Sequence, residues 1–322
     1  MTFTFGIYPG AALGGETGLI APARPDDPRR IADALDTLQG DAGTFLVRAY
    51  RAFGDPGLPD TPADPASYAT RGRALDLVLT FRDPHGDVDG WLDFVSETVR
   101  TDGAHLARLQ IAEEPNANLP VLDGSTPHVK EAVVRGVTAA KQAARLAGHD
   151  IAVGFNAVPT FDPDDSFWPG LGRLADDAFH QALDYVGLDF FPDVFRPLPA
   201  GQLPGAVGAV LDGFRGDALP RAGIGPRVPI VVTETGWPTG PGRSEERQAE
   251  VVAEVVRTVH ERRTVDNITG YTYFGLRDAD TSGPGLFHGF GLLRDDYTSK
   301  PAFDTYRRLV ADLTARPQDA RS

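Results

Sequence analysis

The chain has 322 residues, of which 41% are hydrophobic and 24% charged, with no cysteine and a formal net charge of −14. This is the balance of a globular protein with material for one large or two small domains. It excludes disulfides, thiolate catalysis and cysteine-ligated metals, argues against nucleic acid or anionic membrane as a partner, and leaves no apolar run of the roughly 18 residues a membrane span needs.

The chain opens MTFTFGIYPG, alternating like a strand from its third residue. No basic stretch followed by an apolar one precedes this, so no signal peptide is read and a cytoplasmic protein is the expectation. Short apolar segments rich in β-branched and aromatic residues then recur at 3–8, 44–49, 75–81, 106–112, 151–156, 185–190, 229–234 and 270–275. Such runs suit strands buried on both faces. Amphipathic stretches lie between them. Asp27-Pro28 opens a helix over 28–39, Thr126-Pro127 opens one over 127–147 that Gly148 closes, and Ser244 opens one over 245–263. A helix over about 65–72 follows a Pro- and Asp-rich loop at 54–65.

Alternation of this kind predicts a single-domain α/β protein, a (β/α)8 TIM barrel over 1–314 with a frayed tail at 315–322. A doubly wound open sheet is the alternative, but GIYPGAALGG after the first strand lacks the G-x-G-x-x-G spacing of a phosphate turn. In a barrel the active site lies at the C-terminal strand ends. There the chain places Glu113 and Glu114, in IAEEPN, after the fourth strand and Glu234, in VTETGWP, after the seventh. About 120 residues separate them, the length of three βα units. A single Glu in such a turn is most simply a surface or capping carboxylate. Two on the same rim are the minimum set for cleaving a glycosidic bond.

These strings resemble glycoside hydrolase clan A, the retaining (β/α)8 glycosidases. Glu114 in Glu-Pro-Asn matches the acid/base of its fourth strand, and Glu234 matches the nucleophile of its seventh. IVVTETGWPT also resembles the nucleophile string of the β-1,3-glucanase family seventeen, although the start of the chain does not. The resemblance implies hydrolysis of a β-linked glycoside or oligosaccharide by double displacement, without metal or cofactor. Arg48, at the end of the second strand, matches an arginine that supports the nucleophile; the plain alternative is an ion pair with a loop Asp. Asn156 ends the fifth strand, either to bind a sugar hydroxyl or to terminate the strand. Trp237, Phe274, Tyr8, Phe191 and Trp168 are candidates for sugar contacts, with core packing an equal reading for Trp168 and Tyr273. Trp91 is assigned to packing. Arg277, Asp278 and His288 lie in a Gly-rich loop, 276–292, long enough to cover the cleft.

Three departures qualify the carry-over. Glu113 stands where the clan has an Asn that donates to the sugar 2-hydroxyl. An ionised Glu accepts only, so either the substrate carries an unusual 2-substituent, such as an amino group, or Glu113 is held protonated. Adjacent residues on a regular strand face opposite sides, so Glu113 and Glu114 share the mouth only where the strand has ended or bulged. Phe190 and Phe191 stand near the position of a Tyr that bonds the nucleophile, and Phe274 stands for a common Trp. A non-catalytic carbohydrate-binding barrel is therefore the rival reading. A Schiff-base lyase is disfavoured because Lys130, Lys141 and Lys300 all lie off the strand ends.

Overall fold

Each of the eight apolar segments forms a strand, and the strands pair in parallel in chain order. The computed structural model describes residues 3–11, 23–54, 59–120, 122–162 and 164–315. Its strands are β1 Thr4–Tyr8, β2 Phe45–Phe53, β3 Arg73–Phe81, β4 Leu106–Ile111, β5 Ala152–Ala157, β6 Tyr185–Asp189, β7 Ile230–Thr235 and β8 Ile268–Phe274. β8 also pairs with β1, Thr4 opposite Gly270, so the sheet closes into a (β/α)8 barrel. Parts of the expected first-strand loop, of the 54–65 loop and of the 315–322 tail lie outside the described residues.

The helices run outside the barrel: α1 Pro28–Gln39, α2 Val88–Asp102, α3 Val129–Ala147, α4 Phe167–Leu174, α5 Asp177–Ala182, α6 Leu203–Gly213, α7 Leu219–Arg221, α8 Glu245–Arg262 and α9 Pro301–Thr314. Their ends follow local chemistry. Asp27 accepts from the amides of Arg29 and Arg30 at the start of α1, and Ser244 accepts from Arg247 at the start of α8. Gly148 takes φ 72° and closes α3 as a left-handed cap. On α8, Val251, Val252, Val255, Val256 and Val259 form the buried stripe.

Two expected helices differ. α3 begins at Val129, not at Pro127, because His128 adopts φ 62° and breaks the helical path. In place of a helix over 65–72 there is a single 3-10 turn, Pro65–Tyr68. Asp64 enters this turn in a left-handed conformation without capping it, and Gly72 leaves at φ 85°. The chain saved there lengthens the flanking strands, and β2 pairs with β3 over nine positions.

The apolar core lies between strands and helices. Trp91 is fully buried there and donates from its indole to Ala132 O at 3.1 Å, the packing role expected of it. The inside of the barrel is polar. Arg48, Asp76, Arg108, Gln110, Asn156, Asp189 and Thr272 are all buried. Space for the large ones comes from glycine. A Cβ on Gly270 would stand 2.5 Å from Arg108 Nη2, and one on Gly154 would strike the Tyr185 ring.

Candidate active site

Residues 112–114 end β4 in a way that a regular strand does not. Ala112 (φ 68°) and Glu114 (φ 45°) both take the left-handed region, which is costly for residues with a Cβ. Two buried side chains hold the turn. Asp123 Oδ2 accepts from the Glu113 amide at 2.8 Å and the Phe81 amide at 2.7 Å. Asn156 Oδ1 accepts from the Glu114 amide at 2.8 Å. The strand has therefore ended before Glu113, and both glutamates face the mouth.

β7 solves the same problem with an irregularity. The β6–β7 register shifts between Leu188 and Asp189, and the β7–β8 register shifts between Val232 and Thr235. Thr233 Oγ1 can thus donate to Asp189 while the neighbouring Glu234 also turns inward.

Arg48 and Tyr50 alternate onto the inner face of β2 and converge on Glu234. Arg48 Nε and Nη2 lie 3.2 and 3.1 Å from Glu234 Oε1, and the Tyr50 hydroxyl donates to the same oxygen. Arg48 Nη2 also reaches Gln110 Oε1 at 3.0 Å, Glu113 Oε2 at 3.6 Å and Asp189 Oδ2 at 4.0 Å. The guanidinium thus meets Glu234, not a loop Asp. Glu113 Oε2 accepts from Gln110 Nε2 at 2.7 Å and from Asn156 Nδ2 at 3.4 Å, and Asn156 also donates to Asp189.

Oxygens of Glu113, Glu114, Asp189 and Glu234 lie within 4.8 Å of one another. Four carboxyls and one guanidinium cannot all be charged cheaply in a buried site. Burial first, and then the Glu234 charge, pushes Glu113 well above the carboxylate range, against the pull of Arg48. Burial and the charges of Glu113 and Glu234 do the same to Glu114. Asp189 is raised by burial and then by Glu234. The four carboxyls have the spacing to hold a cation, but Arg48 Nη2 already stands among three of them, where a metal ion would compete with it.

The aromatic candidates divide. Tyr8 stacks on Phe274 at 4.9 Å between ring centroids, meets the Tyr50 ring edge-on and bonds Thr61 through its hydroxyl. Phe191, half-buried at the rim, packs against Phe274, Phe195 and Phe290. Trp237 is largely buried, its indole 3.3 Å from Asp193 and its ring under Arg243. Trp168 is corrected outright. It is fully buried behind β5, against Phe155, Phe167 and Phe214, with no face left for a sugar. Tyr273 is likewise buried, against Tyr306.

The loop candidates are structural. Arg277 ties the loop to Arg24 O and Asp26, Asp278 pairs with Lys300 at 2.7 Å, and His288 Nδ1 accepts from the Gly285 amide. Sequence reasoning misses Tyr50, because the expected second strand stops at 49, four residues short of its end at Phe53. It also missed Gln110 and Asp123. Asp189 carries the signal used for the glutamates, an acid closing an apolar strand, but the two phenylalanines after it drew the reading away.

No family model matches the chain, and no curated protein matches it significantly. Solved structures do. A β-glucosidase from Exiguobacterium marinum superposes with a TM-score of 0.62 at 14% identity, covering 98% of this chain and 99% of that one. A fungal β-1,4-galactanase gives 0.61 at 11% identity, with 96% and 100% covered. A family 39 glycoside hydrolase from Bacteroides cellulosilyticus WH2 gives 0.59 at 14% identity, covering 95% of this chain. The chain spans 63% of that enzyme's length, and 46% of a Bifidobacterium dentium β-glucuronidase it also resembles. At these identities the likeness establishes the barrel fold, and the chemistry has to be argued from the site.

Proposed function

We propose that the protein is a retaining β-glycoside hydrolase, with Glu234 as nucleophile and Glu114 as acid/base. One observation carries the reading: oxygens of Glu114 and Glu234 lie within 4.8 Å, and Glu234 alone of the four acids takes three donors from β2. A nucleophile that must reach the anomeric carbon directly needs its partner about 5–5.5 Å away, whereas an inverting pair stands wider to admit water. Arg48 and Tyr50 hold Glu234 in place and oppose its negative charge. Glu114, raised by burial and by its neighbours, arrives protonated.

In the first step Glu234 attacks the anomeric carbon while Glu114 gives its proton to the departing oxygen. The glycosyl ester removes one negative charge from beside Glu114. As a carboxylate, Glu114 then takes a proton from the water that hydrolyses the ester and is ready to act again as the acid. Glu113 fits a protonated role better than an ammonium-binding one. Its Oε2 is already occupied by Gln110 and Asn156, and burial favours its neutral form. The expected substrate is therefore an ordinary 2-hydroxy sugar, and a 2-amino analogue is turned over no faster. Tyr50 does from β2 what Phe190 and Phe191 cannot, which weakens the case for a degenerate barrel.

The test is a panel of aryl β-glycosides followed by a 2-deoxy-2-fluoro glycoside and peptide mass spectrometry. The fluoro-sugar mass is expected on Glu234. Sugar binding without turnover or labelling, with the protein folded, moves the assignment to a carbohydrate-binding barrel.

A further inference from the structure

At the opposite end of the barrel from the carboxylates, a cavity of about 640 Å³ is lined by Thr4, Arg108, His180, Asp184, Arg227 and Thr269, among others. These residues stand at the starts of β1, β4, β6, β7 and β8, so the cavity is the N-terminal mouth of the barrel. Arg108 is its floor. Its side chain points into the lumen from β4 and crosses towards β8, where its Nη2 nearly touches Gly270. It is 8% exposed, and that exposure opens onto the cavity it lines. Its nearest charge, Asp76, is 3.8 Å away and is shared with Arg48 at 3.5 Å.

A guanidinium has five N–H donors, more than one ion pair at 3.8 Å engages. Among the described residues Asp184 forms its ion pair with Lys141, and its Oδ2 also accepts from the Val153 amide. Of the other polar lining groups, Arg227 is a second guanidinium and Thr4 and Thr269 are neutral hydroxyls. Arg227 and His180 are both exposed where they line the cavity. In a chain with net charge −14 this lining carries two arginines against one carboxylate, Asp184.

We propose that this cavity binds a phosphate group, held by the planar fork of Arg108 on the floor and by Arg227 at the rim. Arginine matches phosphate oxygens in pairs, which explains why a buried arginine, rather than the usual branched aliphatic residue, ends the lumen here. The cavity exceeds a bare phosphate ion, so the ligand is a phosphate ester of a small polar molecule. Binding here is independent of glycoside cleavage at the other end.

Isothermal titration of the full chain at fixed ionic strength tests it, with inorganic phosphate, glucose 6-phosphate and glucose as probes. Both phosphates are expected to bind and glucose to give no signal that depends on Arg108 or Arg227. The ester binds more tightly if it fills the cavity; equal affinity assigns the site to the free ion. Arg227→Ala, a rim change that leaves folding and glycosidase activity intact, should weaken binding about tenfold, and Arg108→Met about 10- to 100-fold. A melting curve checks that the second variant folds. No phosphate binding, or binding that neither substitution weakens, overturns the proposal.

Discussion

Three donors from β2 converge on one oxygen of Glu234, two from Arg48 and one from Tyr50. Their shared origin on one strand fixes the carboxylate by geometry as well as by charge, since residues two apart on a strand face the same way. Removing the Tyr50 hydroxyl takes one donor and leaves the ring that packs edge-on to Tyr8. Tyr50→Phe should therefore lower kcat by about 10- to 100-fold with little change in KM, the scale of a hydrogen bond to a charged group. An unchanged kcat removes Tyr50 from the positioning of the nucleophile. At Glu113 the neutral state is the point at issue. Glu113→Gln keeps an uncharged, donating side chain and should retain most of the activity, whereas Glu113→Ala should lose at least about tenfold. Equal loss in both variants means that the ionised form is the one required.

The turn after β4 is the element that makes the site. Without left-handed residues at 112 and 114 one glutamate would face the helices. Asp123 holds that turn by accepting two backbone amides from different strand ends, Phe81 and Glu113, and lies against Arg82 as well. Asp123→Ala leaves two buried amides without acceptors, at a cost on the order of 3 kcal/mol. Urea unfolding should report that loss, and activity should fall further than stability explains because Glu113 and Glu114 are released. Full activity in a destabilised variant would show that the turn holds without Asp123. The bulge in β7 plays the same part for Glu234, and the two irregularities stand on opposite sides of the mouth.

Across the whole molecule the buried acids set the pH dependence. Glu113, Glu114 and Asp189 are all raised, so between the ordinary carboxylate range and their raised values the folded state holds more protons than the unfolded one. Stability must then fall as pH rises through that interval. Asp36 works in the other direction. The hydrogen bond from Arg73 lowers it, and its contribution is lost only on acidification below the ordinary range. Melting temperature is thus expected to peak in mildly acidic solution and to decline towards pH 8, with a shallower decline in Asp189→Asn. A melting temperature that climbs steadily from pH 5 to pH 8 contradicts this.

The order of the strands, their burial on both faces and the position of Glu114 and Glu234 at strand ends were legible in the chain alone. Each is a property of local pattern: apolar runs of strand length, caps, and acids placed just after them. Helix limits at Ser244 and Gly148 were legible for the same reason, whereas the 3-10 turn at Pro65–Tyr68 and the late start of α3 depended on backbone conformations that no periodicity encodes. Of the partners of the glutamates, Arg48 was named from the resemblance, whereas Tyr50, Gln110 and Asp189 were not legible. Arg48, Tyr50, Gln110, Asn156 and Asp189 come from four different strands, and only closure of the barrel sets them around one point. Whether two adjacent glutamates face the same way was likewise decided by φ at Ala112 and Glu114, which Asp123 and Asn156 impose from elsewhere in the chain. Local sequence determines what each strand end carries; long-range packing determines which way it points and what charge it bears.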